Sequence, residues 1–304
     1  MSAKAFFMDT SELIILRSGD MAAGIAAQAG GSVAYWRQNG TDLLRPATKE
    51  ALDKNQADAT GMFPLVPYSN RIRGGSFIYW GVRRKVPKNH PLVDDPLHGE
   101  GWMTAWTVQA QSDDSASLCF DHNGKTGFPF AYHAQETFSL TPDSLKVVMK
   151  LTNTGGIPMP CGLGMHPYFP KTNDAVVTFK TRTVWAHEGM IASDKPIKTP
   201  ADLQFSNGIR PSSVTLDACF GGCDGKVLIE YPEQKRKLTI TAQSDFNHTV
   251  VWTPENADFF CVEPVTNAND AFNLASHGVT GTGIKTLEPS ESLTETITFT
   301  AAAL

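Results

Sequence analysis

Apolar residues recur at every second position along several stretches of this 304-residue chain. Leu145, Val147, Met149 and Leu151 alternate with Lys146, Val148 and Lys150, as in a strand that buries one face and shows the other to solvent. Residues 237–243 repeat the pattern. In residues 292–300 every even position carries a hydroxyl, while Leu293, Ile297 and Phe299 share the other side, and Thr-rich faces of this kind favour sheet. Residues 106–110, 175–180 and 227–231 are further strand candidates. Turn signals punctuate these runs at Asn39-Gly40, Asn123-Gly124, Thr141-Pro142-Asp143, Gly155-Gly156, Asn207-Gly208, Asp224-Gly225 and Pro289-Ser290. Many short strands with frequent turns predict an all-β fold, a sandwich or barrel. Only residues 48–58 predict a helical turn or two.

Length alone would permit two domains, but β-sandwiches commonly exceed 200 residues as single units. With no linker, low-complexity tract or internal repeat, one domain over 1–304 is expected. An apolar fraction of 41% and a charged fraction of 19% suit a soluble chain with a sizeable core. The formal charge of −5 argues against a nucleic-acid binder. No stretch approaches a membrane span, and the N-terminal apolar residues are soon interrupted by Asp9 and Glu12, unlike a secretory leader. Cys119, Cys161, Cys219, Cys223 and Cys261 are odd in number and mostly set in apolar sequence, which fits reduced core thiols and a cytoplasmic location.

Several chemistries find no support. The chain lacks a G-x-S-x-G elbow, a phosphate-binding loop and a dinucleotide fingerprint. Its eight histidines are scattered, and Cys219 and Cys223 have no second ligand pair at zinc spacing, so no metal site is expected.

Polar groups in turn-rich, aromatic settings are the better candidates. In Phe63-Pro64-Leu65-Val66-Pro67-Tyr68-Ser69-Asn70-Arg71-Ile72-Arg73-Gly74-Gly75 the prolines stiffen an extended approach, leaving Asn70 and Arg71 as fixed donors. In His90-Pro91, followed by Pro96-Leu97-His98-Gly99-Glu100-Gly101-Trp102, the glycines allow close approach of backbone to a ligand, with His98 near an aromatic ring. Gly164-Met165-His166-Pro167-Tyr168-Phe169 holds a histidine suited to proton transfer. Phe259-Phe260-Cys261-Val262-Glu263-Pro264 draws a carboxylate into apolar surroundings, which is costly unless compensated or used. Asp217 lies in Leu216-Asp217-Ala218-Cys219-Phe220. Each has a structural explanation too: Arg71 in an ion pair, Asn70 capping a turn, His98 in a surface turn, His166 bonded to a carbonyl, Glu263 paired with an arginine, and Asp217 forming a turn.

Taken together, N-R-I near 70, L-H-G near 98, H-P-Y-F at 166–169, D-x-x-F at 217–220 and V-E-P at 262–264 resemble the aldose 1-epimerases, the galactose mutarotase family, over residues 63–274. More narrowly, the chain resembles a bacterial subgroup whose members carry F-P-L-V-P-Y-S-N-R-I, H-P-L-H-G and F-F-C-V-E-P-V, the second of which reads Asp95-Pro96-Leu97-His98-Gly99 here. This resemblance implies a large antiparallel β-sandwich, the supersandwich, with a sugar bound on its sheet surface. It implies cofactor-free exchange of the α and β anomers of a free aldose, His166 acting as general acid and Glu263 as general base. Arg71, His98 and Asp217 would hold sugar hydroxyls, with Asn70 beside them. Ala218 and Cys219 depart from the more polar residues of the galactose enzymes, which leaves the sugar open. The expected partner is a small sugar, with no nucleic acid or membrane, and the chain acts as a monomer or homodimer.

For ring opening at neutral pH the expectation is an ionised Glu263, its pKa lowered by a cation such as Arg71, and a protonated His166, its pKa raised by a carboxylate. The alternatives are a sugar-phosphate epimerase using Arg71, Arg73 or the Arg83-Arg84-Lys85 run as a basic pocket, and a carbohydrate-binding protein that has lost the chemistry.

Overall fold

The computed structural model describes residues 13–188, 191–243 and 245–304. The N-terminal residues considered above as a leader lie outside them. Among the described residues two large sheets dominate, and their pairings are antiparallel throughout. This is the large antiparallel β-sandwich that the strand-rich pattern and the resemblance led us to expect.

The eight-stranded sheet runs in the order Val176–Phe179, Lys226–Tyr231, Arg236–Ala242, Ser292–Ala303, Ser144–Asn153, Ala131–Leu140, Ser115–Asn123, Thr107–Gln111. All the period-two stretches fall here. Burial alternates residue by residue along Ala131–Leu140 and Ser144–Asn153, because one face meets the core and the other meets water. The one inward acid in Ser292–Ala303, Glu295, is buried and lifted to about 7 by that burial and by Asp245.

The eleven-stranded sheet runs Ile14–Ser18, Met21–Ala26, Ser32–Gln38, Met62–Leu65, Gly164–Pro170, Phe259–Val265, His248–Thr253, Leu216–Gly221, Thr183–Glu188, Ile191–Lys198, with Thr41–Asp42 paired to Ser32–Gln38. Asn39 and Gly40 both have positive φ, 50° and 76°, the tight hairpin turn that Asn-Gly favours. The main core lies between the sheets, bringing Trp36, Met165 and Val262 together with Phe138, Val147 and Phe299. The Trp36 and Phe299 rings meet edge to face at 6.4 Å.

The middle strands of this sheet differ from its edges. Met62–Leu65 is buried at every position, and Gly164–Pro170 and Phe259–Val265 at all but one. Their second face is covered by a separate cluster that includes Phe63, Trp102, Tyr168, Val250 and Cys261. Strands enclosed on both sides lose the alternation of apolar and polar residues.

Residues 48–58 carry the short helix Lys49–Asp53, capped by the Thr48 hydroxyl, and the turn Ala57–Ala59. The expectation that no other helical segment exists needs correction. Ala271–Ser276 is a helix that packs Phe272 against Phe77 at 4.7 Å, and its 3.6-residue signal is too short to stand out. Further single turns are scattered through the loops. Arg83 and Lys85 are exposed on the surface hairpin formed by Ser76–Tyr79 and Val82–Lys85. The five cysteines are free, Cys223 half-buried and the others buried.

Candidate active site

Register across the middle of the eleven-stranded sheet builds the floor of a cleft. Gly164 pairs with Val265 and Tyr168 with Cys261, so His166, midway between, falls opposite Glu263. His166 pairs on its other side with Phe63, and Glu263 with Val250. Side chains opposite one another share a face, which gives one row of Phe63, His166, Glu263 and Val250. The next row holds Tyr168, Cys261, Trp252 and Asp217. Two residues 97 positions apart in sequence thereby meet: His166 Nε2 lies 3.2 Å from Glu263 Oε1. The imidazole stacks on Phe63 at 4.6 Å and leans on Tyr168 at 4.8 Å.

Loops supply the walls. Asn70 and His98 both sit at positive φ, 66° and 58°, and hold each other by two hydrogen bonds. The Asn70 N–H donates to His98 Nδ1 and the His98 N–H donates to the Asn70 carbonyl, each at 2.9 Å. With Nδ1 accepting, the neutral ring carries its proton on Nε2, a donor for a ligand oxygen. Gly99 follows at φ 68°, where a Cβ would lie 2.3 Å from the Val66 carbonyl, so this approach requires glycine. Asn70 Oδ1 accepts from the Arg71 N–H at 3.0 Å and from its guanidinium at 3.4 Å. Asn70 thus orients Arg71 and shapes the His98 turn rather than serving only as a donor.

The cleft has a volume of about 620 Å³, and Asn70, Arg71, His98, His166, Asp217 and Glu263 all line it. Every sequence-derived candidate is therefore in one place. His166 and Glu263 are almost wholly enclosed, their side chains 8% and 2% exposed. His166 Nδ1 and Glu263 Oε2 are buried and form no hydrogen bond among the described residues, which leaves polar atoms that a bound hydroxyl can satisfy.

The electrostatics reverse the expectation from sequence. Burial pulls the His166 imidazole down to about 3; its own backbone opposes this, and the nearby Arg45 adds a smaller downward push. Burial pushes Glu263 well above the usual carboxylate range, and Asp217 pushes it further; Arg71 opposes both with a smaller effect. Desolvation outweighs the Coulomb contributions because neither side chain keeps appreciable contact with water. This enclosure therefore favours an uncharged pair with one proton between the two groups. His98 is likewise held well below its usual value by burial, then by His166, Arg71 and His90.

Sequence reasoning missed Trp252, and it set His90 in a candidate segment without giving it a role. Trp252 is half-buried beside Asp217 in the cleft floor, its ring 6.3 Å from His166, and it is better exposed to a ligand than Trp102, which is 4% exposed. Its alternation with Val250 was the available signal, hidden by apolar residues on both sides. His90 stacks on Trp102 at 5.8 Å and nears Asp58 at 3.8 Å.

A family model for aldose 1-epimerase matches residues 12–300. The uncharacterized protein YphB of Escherichia coli K12 is 29% identical over 92% of this chain and 95% of its own length. A crystal structure from Escherichia coli K12, provisionally described as an aldose 1-epimerase, superposes with a TM-score of 0.87 at 27% identity, covering 96% of this chain and 99% of that one. The fold also matches a galactose mutarotase-like protein from Clostridium acetobutylicum, TM-score 0.85 at 20% identity, over 98% and 97% of the two chains.

Proposed function

The chain belongs to the aldose 1-epimerase family, and from that premise we propose that it is a mutarotase, interconverting the α and β anomers of a free aldose within one domain and without a cofactor. The observation that carries this reading is the contact of a buried imidazole and a buried carboxyl, 3.2 Å apart, on the floor of a cleft.

Ring opening removes a proton from the C1 hydroxyl and delivers one to the ring oxygen. Glu263 accepts the first and His166 donates the second. After rotation about C1–C2 the transfers reverse and the ring closes on the other face of the aldehyde. The charged tautomer, imidazolium beside carboxylate, is the form that starts the reaction, and the neutral tautomer is the form left when the ring is open. Burial penalises the first and favours the second, so His166 is made a stronger acid and Glu263 a stronger base. Since the two groups touch, one proton passing from Glu263 to His166 before the sugar reacts converts the neutral pair into the starting form, and ring closure restores it. Hydroxyls bonded to the unpartnered Glu263 Oε2 and the nearby Arg71 cation offset the cost of the carboxylate. Arg71, His98 Nε2 and Asp217 hold the other hydroxyls, with Asn70 fixing Arg71.

A free sugar suits this cleft better than a phosphorylated one. Asp58, Asp94, Asp95 and Asp217 line it against the single guanidinium of Arg71 among the described residues, and the exposed Arg83 and Lys85 do not. A phosphate would meet mainly carboxylates. The test is polarimetric mutarotation of free and 6-phosphorylated hexose by wild type, His166→Asn and Glu263→Gln. Acceleration of the free sugar, lost in both variants, is expected. Sugar binding by calorimetry with anomer exchange at the uncatalysed rate would mean a binding protein instead.

A further inference from the structure

We propose that Arg45 is a positioning residue of the acid–base pair: clamped on the Tyr168 ring that itself packs against His166, it fixes the imidazole and keeps a positive charge one ring away, favouring the unprotonated ring. The inference rests on reading His166 as the acid.

Arg45 lies outside every motif in the sequence and does not line the cleft. Its guanidinium carbon sits 3.7 Å from the centre of the Tyr168 ring and 4.7 Å from that of Phe259, whose rings meet edge to face at 5.0 Å. The fork is anchored on backbone. Nη2 donates to the Asp58 carbonyl at 2.7 Å and to the Thr60 carbonyl at 2.8 Å, and Nε donates to Thr60 at 3.3 Å. The Arg45 N–H donates to the Tyr168 carbonyl at 2.9 Å. Two ring contacts and four hydrogen bonds therefore hold Arg45 in place; each of these bonds goes to a carbonyl, and among the described residues Arg45 forms no ion pair with a carboxylate. Carbonyl acceptors leave the net charge in place, and a guanidinium is the residue type that stacks and forks at once.

The Tyr168 ring transmits the position, lying 4.8 Å from the imidazole at a 30° tilt, with Phe63 stacked at 4.6 Å. Other groups that bear on His166 come from each neighbouring element. Glu263 is at 3.2 Å, with Cys261 on the same strand. Asp217 and Arg71 act on Glu263 with opposite signs, and the His98 ring stands perpendicular at 5.5 Å. The Tyr168 hydroxyl is kept protonated by burial. After burial, the Arg45 cation also disfavours the imidazolium. A ring denied its proton in this way gives it up more readily to a sugar oxygen.

The test follows the His166 imidazole nitrogens by NMR in the full chain without sugar, from pH 2.5 to 7, with His166→Asn assigning the signal. In Arg45→Met the ring should take up its proton at a pH higher by roughly one unit. Arg45→Lys, which keeps the charge, should stay close to wild type. Mutarotation by Arg45→Met should fall roughly three- to tenfold in kcat with little change in KM. Protonation at the same pH in wild type and Arg45→Met would overturn the proposal. Should Arg45→Met fail to fold, Arg45→Gln, which can still donate to Thr60, decides on the same criterion. The titration needs no turnover, so it judges Arg45 even if no aldose is converted.

Discussion

The two sheets use the same backbone geometry for different ends. In the eight-stranded sheet one face packs and the other is solvated, so an outward Lys150 beside an inward Leu151 is ordinary surface chemistry. In the middle of the eleven-stranded sheet both faces are enclosed. One closes the main core and the other floors the cleft, so an ionisable group there meets protein on all sides. The same strand architecture leaves a solvated charge unremarkable and shifts the titration of a buried one, which on the mutarotase reading makes it a reagent. What differs is access to water.

The largest effect should come from removing that reagent. His166→Asn and Glu263→Gln should each lower mutarotation about 10²–10⁴-fold, and the double variant should be little worse than either, because the groups act as one unit. Lys150→Ala in the other sheet should leave the polarimetric rate unchanged.

Packing separates the sheets next. Met165→Ala and Leu65→Ala lie on adjacent strands, facing the core and the cleft side respectively, and each should cost about 2–5 kcal/mol in denaturant unfolding. Leu151→Ala should cost as much, while its neighbour Lys150→Ala should stay within about 0.5 kcal/mol. Equal costs on both sides of Ser144–Asn153 would erase the contrast.

That contrast also explains what the sequence made legible. Period-two alternation located Ser144–Asn153, Arg236–Ala242 and Ser292–Ala303 because solvent marks one face. It gave no strand at Met62–Leu65, Gly164–Pro170 or Phe259–Val265, where no face is wet. Those strands were visible only as motifs, and every residue the motifs singled out lines one cleft. Chemical sense was less legible. Sequence suggested Arg71 as a partner that would lower Glu263, but the balance between that cation and full desolvation depends on enclosure, which only the fold reveals. Arg45 and Trp252 were invisible for the same reason.

Acid should probe the enclosed strands. Burial holds His248, on the strand beside Glu263, down to about 4, against about 6.5 in an unfolded chain. The folded state thus binds fewer protons between these values, so its contribution to stability is present above pH 6.5 and is lost as pH falls toward 4. The loss should reach about 3 kcal/mol, and urea titrations of His248→Asn should show a shallower decline than wild type.

The smallest effects should be shifts in the pH–rate profile. Activity requires one proton on the pair, so the rate should form a broad bell. Its acid limb falls where His166 gains a proton beside a protonated Glu263, and its alkaline limb where Glu263 loses its own. Asp217→Asn removes a charge that raises Glu263, so the alkaline limb should move down by roughly one unit. Arg71→Met removes one that lowers it, so the limb should move up. Shifts of the same sign would contradict these roles.

The central claim, that enclosure turns His166 and Glu263 into an acid and a base for ring opening, meets its most direct test in polarimetric mutarotation of galactose, glucose, xylose, arabinose and fucose. At least one aldose should equilibrate well above the buffer rate with wild type, and fall at least about a hundredfold with His166→Asn and with Glu263→Gln. No acceleration of any aldose, or a His166→Asn variant as fast as wild type, would contradict it.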